Sequence, residues 1–194
     1  GKAIALEALK RGHRISLGIR NPESLKGTLL DPKVSGSENI LINKYEAKDN
    51  ESARKWVVNT QEQFKGFDTL INCAGIFERT EFLYQDEEKD NIENLWRVNV
   101  MGPWELTKEA WKNLSDSDKG RVIFLVSMSG IRSKGKLAGY SMSKFALMGL
   151  CQTIRNEGWD KGIRVTTICP GWVNTDMAKG IDSIDKGNMT QSKD

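Results

Sequence analysis

A chain of 194 residues, 38% of them apolar, is long enough for one domain with a hydrophobic core and too short for two comfortable ones. Its formal charge of +3 is spread without a basic block, and its three cysteines lack a CxxC pair or a histidine cluster. These features argue against a nucleic-acid partner, a disulfide framework or a metal site. No apolar run approaches the roughly 18 residues of a membrane span and no signal-peptide pattern opens the chain, so we expect a cytoplasmic protein with no membrane partner.

Helical and strand-like segments alternate along the chain. In order, the pattern predicts a helix at 2–11, a strand at 14–19, a strand at 39–45, a helix at 49–64, a strand at 68–75, a long helix within 88–114, a strand at 121–127, a helix at 140–157 and a strand at 163–168. Apolar strands separated by helices indicate βαβ units, and therefore an α/β fold whose parallel sheet is covered on both faces. Residues from about 177 to 194 are polar and are predicted to form a flexible flap or tail.

The helix at 140–157 begins with Tyr140 and carries Lys144 one turn later, so the two side chains can meet. An ammonium about 5 Å from a phenol, at an effective dielectric constant of 20, is worth roughly 3 kcal/mol or two pK units. That shift would make the phenol a usable acid. Taken alone, a Tyr-x-x-x-Lys pattern is common on amphipathic helix surfaces, so the pair needs partners.

Candidate partners lie where other predicted strands end. Ser127 ends the strand at 121–127, the sequence NCAG (72–75) ends the strand before it, and CPGWVNTDM (169–177) follows the strand at 163–168. Asn99 lies within the long helix. Because parallel strands present their carboxyl ends at one edge of a sheet, we expect these groups to gather around Tyr140.

The order NCAG, Asn99, Ser127, Tyr140-x-x-x-Lys144 and Pro170-Gly171-x-x-x-Thr175 resembles the short, single-domain branch of the short-chain dehydrogenase/reductases. The resemblance covers nearly the whole chain. It implies a single Rossmann-like, doubly wound parallel sheet and a nicotinamide-dependent oxidoreductase that interconverts a carbonyl and an alcohol.

The resemblance also assigns catalytic roles. Tyr140 would exchange a proton with the substrate oxygen, and Ser127 would donate a hydrogen bond to the same atom, with Ser129 as a rival for that role. Lys144 would lower the tyrosine pKa and bind the nicotinamide ribose. Asn99 would interrupt its helix locally and hold a water that resupplies protons through Lys144.

The cofactor half of the pattern is less complete. Gly1 resembles the last glycine of the family's phosphate-binding loop, so the resemblance implies that this chain lacks the first strand, which should be central, and the C-terminal strand. We therefore expect the chain to be an internal portion of a longer one. At the end of the second strand Ile19 occupies the place of the carboxylate that grips the ribose of NAD, and Arg20 follows it. This pair favours NADP over NAD, through charge-assisted hydrogen bonds to the 2′-phosphate.

Further positions follow from the same resemblance. Glu46 would contact the adenine, while Asn72, Ala74 and Gly75 would line the adenosine ribose. The nicotinamide end would be held by Pro170, Gly171, Val173 and Thr175. An apolar substrate pocket could be walled by Phe77, Met128, Leu137, Trp172 and Met177. The long helices could form a homodimer or homotetramer.

Three alternatives remain at this point. Ser141 and Lys144 fit the S-x-x-K pattern of acylating enzymes. Residues 130–137 match a triphosphate-binding loop except that Leu137 replaces the metal-binding hydroxyl. A domain of the same fold could also sense a dinucleotide without turning it over.

Overall fold

The computed structural model describes residues 1–178 and 189–191. Its helices are α1 (Lys2–Lys10), α2 (Pro32–Ser35), α3 (Asn50–Phe64), α4 (Lys89–Trp96), α5 (Gly102–Asp116) and α6 (Ala138–Gly158). Its strands are β1 (Ile15–Ile19), β2 (Ile40–Lys44), β3 (Thr69–Asn72), β4 (Arg121–Leu125), β5 (Arg164–Ile168), β6 (Val173–Asn174) and β7 (Thr190–Gln191). Each strand and long helix that the sequence predicts is present, although β3 ends at Asn72 rather than at Gly75 and β4 ends at Leu125 rather than at Ser127.

Parallel ladders confirm the α/β reading. β1 pairs with β2, and β4 lies between β3 and β5, with all of these strands parallel. Among the described residues no ladder joins β1 to β3, so the sheet is divided there. The division falls in the middle of the sheet, where the resemblance puts the family's first strand. β6 and β7 form a separate short parallel pair.

Two apolar clusters fill the space between helices and strands. The smaller one lies between α1, β1 and β2 and contains Ala5, Ile15, Leu25, Leu30 and Ile40. The larger one is centred on β4, where Val122 and Phe124 are fully buried, and it extends to α3, α5 and α6. Each large side chain buried in this way stabilises the fold by about 1.5–3 kcal/mol. The carboxyl end of β4, which Ser127 follows by two residues, is therefore anchored in the larger of the two clusters.

Side-chain caps determine where several helices begin. Asp49, a predicted start of α3, accepts a hydrogen bond from the Glu51 amide at 3.0 Å. Asn21 and Asp31 cap a 3₁₀ turn at Pro22–Leu25 and the short helix α2 in the same way, each with proline at the first helical position. No helix is predicted between the strands at 14–19 and 39–45, although Asn or Asp followed by Pro is a known helix-start signal.

A π-helical turn at Arg97–Met101 joins α4 to α5, so the chain stays helical from Lys89 to Asp116. Gly102 follows the turn, where an added Cβ would lie 2.8 Å from the Ala47 carbonyl oxygen. The local interruption expected at Asn99 is therefore a change of helix type rather than a break.

The predicted tail from 177 to 194 lies mostly outside the described residues. Within them, Met177 and Ala178 belong to a 3₁₀ turn, and Thr190 donates its amide hydrogen to the Trp172 carbonyl at 3.1 Å. None of the helices in the described ranges has both the length and the apolar character needed to cross a membrane.

Candidate active site

Tyr140 and Lys144 lie on one face of the first turns of α6, and both are buried, at 7% and 4% exposure. The Lys144 ammonium nitrogen is 5.7 Å from the centroid of the Tyr140 ring. The same nitrogen donates a hydrogen bond of 3.3 Å to the Leu125 carbonyl at the end of β4. The two side chains therefore share one small buried space beside the carboxyl end of the central strand.

Ser127 follows β4 and faces this space. Its hydroxyl oxygen accepts the Ser129 amide hydrogen at 3.1 Å and lies close enough to the Tyr140 phenol to lower the pKa of that phenol. The Met128 amide donates to the Pro170 carbonyl at 3.0 Å, which brings the loop after β5 alongside. Of the two serines weighed from the sequence, Ser127 is the one that contacts the tyrosine.

Asn99 is fully buried in the π-helical turn and joins three parts of the site. Its side-chain oxygen accepts the Ile76 amide at 2.9 Å, and its side-chain nitrogen donates to the Ile76 carbonyl and to the Ser143 hydroxyl, each at 3.0 Å. An added Cβ at Gly75 would lie 3.4 Å from the Asn99 oxygen and 3.7 Å from the Lys144 nitrogen. Both amide hydrogens of Asn99 are in use, so its side chain cannot donate to the expected water.

Burial governs the protonation of both catalytic candidates. It raises the pKa of Tyr140, and the hydrogen bond from Ser127 lowers that pKa only in part. Burial also lowers the pKa of Lys144 to about 8. The expectation that Lys144 would lower the tyrosine pKa is therefore not met in this structure, because desolvation disfavours the charged forms of both groups. Tyr140 keeps its proton at neutral pH.

The predicted cofactor residues follow the carboxyl ends of several strands. Arg20 is exposed after β1, and Glu46 is half-buried after β2, where its amide donates to the Ser52 hydroxyl at 3.0 Å. Gly1 precedes α1, and an added Cβ there would lie 3.6 Å from the Cys73 Cβ. The amino end of α1 is thus next to the loop after β3.

The remaining predicted cofactor residues divide between exposed and buried positions. Ala74, Gly171 and Thr175 are exposed, whereas Gly75, Pro170 and Val173 are half-buried. Asn72 is buried, and its side-chain nitrogen donates to the Thr107 hydroxyl on α5 at 3.2 Å. Close backbone approach at Gly75 and the free amide groups at the start of α1 fit a dinucleotide.

Aromatic rings line one side of Tyr140. The Phe77 ring meets the Tyr140 ring edge to face at 4.9 Å between centroids and meets the Trp172 ring at 6.1 Å. Met128 is half-buried and Met177 is exposed. Leu137, also predicted to wall the pocket, is buried and forms a bridge to Thr80 immediately before α6.

Sequence reasoning did not single out two polar residues that support the site. Ser143 accepts from Asn99 and donates to the Tyr140 carbonyl at 2.7 Å. Thr80 accepts from the first amide groups of α6. Ser143 stands beside Lys144 within the motif, which was a usable signal, whereas Thr80 had no signal in its own neighbourhood.

The geometry does not favour the rival chemistries. The Ser141 hydroxyl is buried without a hydrogen-bond partner in the described part of the chain, and Lys144 donates to Leu125 instead of contacting it. A triphosphate loop at 130–137 would need the first amide groups of α6, which Thr80 already occupies. Residues 1–178 and 189–191 contain no group of three or more metal-binding side chains.

Comparisons with known proteins concern the family and the fold of the chain. A family model described as short chain dehydrogenase matches residues 1–185. The agropine synthesis reductase of Rhizobium rhizogenes is 36% identical over 194 residues, which is 100% of this chain and 44% of that protein. An uncharacterized oxidoreductase of Thermotoga maritima is 31% identical over 88% of this chain and 66% of its own length. The chain thus spans less than half the length of the first of these relatives.

Solved structures are similar as well. ElxO with NADP bound superposes with a TM-score of 0.83 at 27% identity, covering 94% of this chain and 73% of ElxO. A short chain dehydrogenase from Burkholderia cenocepacia in complex with NADP has a TM-score of 0.84 at 20% identity, covering 100% of this chain and 74% of its own. The second likeness concerns the fold alone.

Proposed function

Because the chain belongs to the short-chain dehydrogenase family, we propose that the protein is an NADP(H)-dependent oxidoreductase that interconverts a carbonyl and an alcohol on a small apolar substrate. The observation that carries the proposal is the buried contact of Tyr140 with Ser127, with the Lys144 ammonium 5.7 Å from the tyrosine ring. The proposal extends to the activity of any longer protein that contains this chain.

The residues of the site divide the work between proton transfer and charge stabilisation. A bound nicotinamide would supply or take up hydride at the substrate carbon. In the reducing direction Tyr140 gives its hydroxyl proton to the carbonyl oxygen, so hydride on carbon and a proton on oxygen together yield the alcohol. Ser127 donates a hydrogen bond to the same oxygen and stabilises the negative charge that develops there.

Lys144 and Asn99 support this step from behind the tyrosine. The pKa of Lys144, lowered to about 8 by burial, allows the ammonium to exchange a proton near neutral pH and so to restore the tyrosine hydroxyl. When the cofactor binds, the Lys144 nitrogen would exchange its contact with the Leu125 carbonyl for the ribose. Asn99 holds the backbone of Ile76 against α6, which keeps Gly75 beside Lys144.

The preference for NADP over NAD rests on Arg20. This residue is exposed directly after β1 and follows Ile19, so no carboxylate stands where a 2′-phosphate would be repelled. The NADP in the ElxO structure supports the same choice by similarity. Phe77 and Trp172 favour an apolar substrate, because their rings form a wall beside the tyrosine.

The test compares Tyr140→Phe with the unchanged protein. NADPH and NADH binding are measured by fluorescence titration, and turnover is measured across a panel of aldehydes and ketones. We expect tighter binding of NADPH than of NADH, unchanged NADPH binding in the variant, and a loss of turnover of roughly 10²-fold or more, the range for general acid catalysis. A tyrosine-to-phenylalanine variant of ElxO was solved with NADPH bound, which fits retained binding.

Tyr84→Phe is the matched control, since Tyr84 is exposed and outside the site. Its turnover should equal that of the unchanged protein. Turnover that survives Tyr140→Phe would overturn the mechanism. NADPH binding without turnover of any carbonyl compound would instead favour the sensor that the sequence left open.

A further inference from the structure

Thr80 lies in the segment between β3 and α4 and is fully buried, whereas its neighbours Arg79 and Glu81 are exposed. A polar side chain that is buried within an otherwise exposed stretch must find hydrogen-bond partners, because an unpaired one costs about 1–3 kcal/mol. The hydrogen-bond partners of Thr80 therefore show which part of the fold holds this segment in place.

Those partners are the first amide groups of α6. The Thr80 carbonyl accepts from the Ala138 amide at 2.8 Å, and the Thr80 hydroxyl oxygen accepts from the Gly139 amide at 2.9 Å, 59 residues away in the chain. The residue at the cap position of α6 is Leu137, which has no side-chain acceptor. Thr80 thus supplies, from a distant segment, the cap that α6 lacks locally.

The fit between the two segments is close on both sides. A Cβ added at Gly139 would lie 2.8 Å from the Thr80 hydroxyl oxygen and 3.2 Å from Leu95, so only glycine allows this approach. The ion pair between Lys136 and Glu81, at 3.1 Å, flanks the contact. The start of α6 consequently has little freedom to shift relative to Thr80.

The same segment also touches the reacting side chain. Phe77, three residues before Thr80, packs edge to face on the Tyr140 ring, and Tyr140 directly follows Gly139. We propose that Thr80 is a positioning residue: by capping α6 it holds the Tyr140 hydroxyl at the place where Ser127 can meet it. This inference rests on the proposed function, in which that hydroxyl exchanges the proton.

The test uses Thr80→Val, which keeps the side-chain shape but removes the hydroxyl acceptor, and Thr80→Ser, which keeps the acceptor. With the carbonyl compound that turns over fastest in the panel, we expect kcat of Thr80→Val to fall by about tenfold or more, because small misplacements of reacting groups are costly. The KM for NADPH should stay within about twofold of the unchanged protein. Thr80→Ser should restore kcat.

Thr60→Val is the matched control, since Thr60 is also a buried threonine but lies on α3 and bonds to Ser16 and the Trp56 carbonyl. It should lower the free energy of unfolding without changing kcat. If Thr80→Val does not fold, Gly139→Ala disturbs the same contact from the other side and should show the same split between kcat and KM. A kcat of Thr80→Val equal to that of Thr60→Val would overturn the inference.

A second readout needs no substrate. Carbon-13 labelling of the ring of the chain's three tyrosines gives separate NMR signals for Tyr45, Tyr84 and Tyr140. Thr80→Val should move the Tyr140 signal and bring its pKa, raised by burial, closer to the usual value of about 10. An unchanged Tyr140 signal would refute the positioning role. If Tyr140→Phe loses turnover but Thr80→Val keeps the kcat of the unchanged protein, the positioning role of Thr80 is refuted while the proposed function stands.

Discussion

Burial of the Lys144 side chain costs stability, because the ammonium leaves water for a space where it has one backbone acceptor. In the folded chain its pKa is lowered to about 8, whereas the usual value is 10.5. Between these two values the unfolded state binds more protons. The contribution of Lys144 to the free energy of unfolding is thus fully unfavourable below about pH 8 and is relieved as the pH rises towards 10.5.

The variant Lys144→Met should therefore be more stable than the unchanged protein at pH 7, by an amount on the order of 2–3 kcal/mol, and the difference should shrink between pH 8 and pH 10.5. Urea denaturation at pH 7, 8.5 and 10 measures this. Lys112→Met, at an exposed position on α5, should leave the pH dependence unchanged. Parallel pH profiles for the unchanged protein and Lys144→Met would contradict the reasoning.

For single residues, the sequence predicted that Tyr140 and Lys144 lie close together but did not predict the direction of their pKa shifts. The spacing of Tyr140 and Lys144 was enough to place both on one helix face. The direction of their pKa shifts depends on how much solvent the surrounding layers exclude, which no local pattern reports. The sequence pattern did not predict Thr80 for a related reason, since the role of Thr80 depends on a contact with a residue 59 positions away in the chain.

Strand β1 and helix α3 are in close contact where Gly18 of β1 meets Trp56 of α3. A Cβ added at Gly18 would lie 2.5 Å from Cζ3 and 2.7 Å from Cδ2 of the Trp56 ring. The Trp56 ring nitrogen donates to the Ser16 hydroxyl at 2.8 Å, and the ring also packs on Tyr45 at 5.1 Å between centroids. The ring cannot move aside without losing these contacts, so α3 fits β1 only where β1 has no side chain.

Gly18→Ala should consequently lower the free energy of unfolding by about 1–3 kcal/mol, the usual cost of overpacking. Urea denaturation measures the loss, and Gly18→Ala combined with Trp56→Leu should recover part of it. The control is Gly149→Ala on α6, where an added Cβ meets nothing within 4 Å. That substitution should raise stability by about 0.5–1 kcal/mol. Equal stability of Gly18→Ala and the unchanged protein would show that Trp56 can move.

Periodicity predicted the long elements well, because their apolar spacing is set by the core they face. It did not predict the short turns after Asn21 and Asp31, which hold few apolar residues and depend on capping alone. The end of β3 was also predicted wrongly, since the apolar run continues beyond Asn72 into a mostly half-buried loop beside the site. Apolar periodicity thus predicts short elements that depend on a single capping hydrogen bond less well than long ones.

For the molecule as a whole, the long helices expose several large apolar side chains to solvent. Trp96 and Trp104, on α4 and α5, and Met142 and Phe145, on α6, are each between 45% and 61% exposed. Exposed apolar side chains of this size on these three helices favour self-association, and we propose a homodimer or homotetramer through these faces.

Light scattering coupled to size-exclusion chromatography tests the assembly. We expect the mass of a dimer or tetramer for the unchanged chain and a smaller mass for Phe145→Glu, because a carboxylate at the centre of the contact would be desolvated. Phe82→Glu is the control, as Phe82 is 87% exposed but lies in the segment between β3 and α4. A monomeric mass for the unchanged chain would exclude this arrangement.

The π-helical turn between α4 and α5 sets the direction in which the apolar face of α5 points relative to that of α4. One extra residue within a helix rotates everything after it by about 100° relative to an uninterrupted α-helix. α4 therefore directs Leu95 towards α6, while α5 directs its apolar stripe towards α3 and β3, although the chain never leaves the helical path. Deleting one residue there would rotate the apolar face of α5 by about 100° relative to Leu95 and so turn it away from α3 and β3. The inserted residue thus lets one continuous helical segment pack on both sets of neighbours.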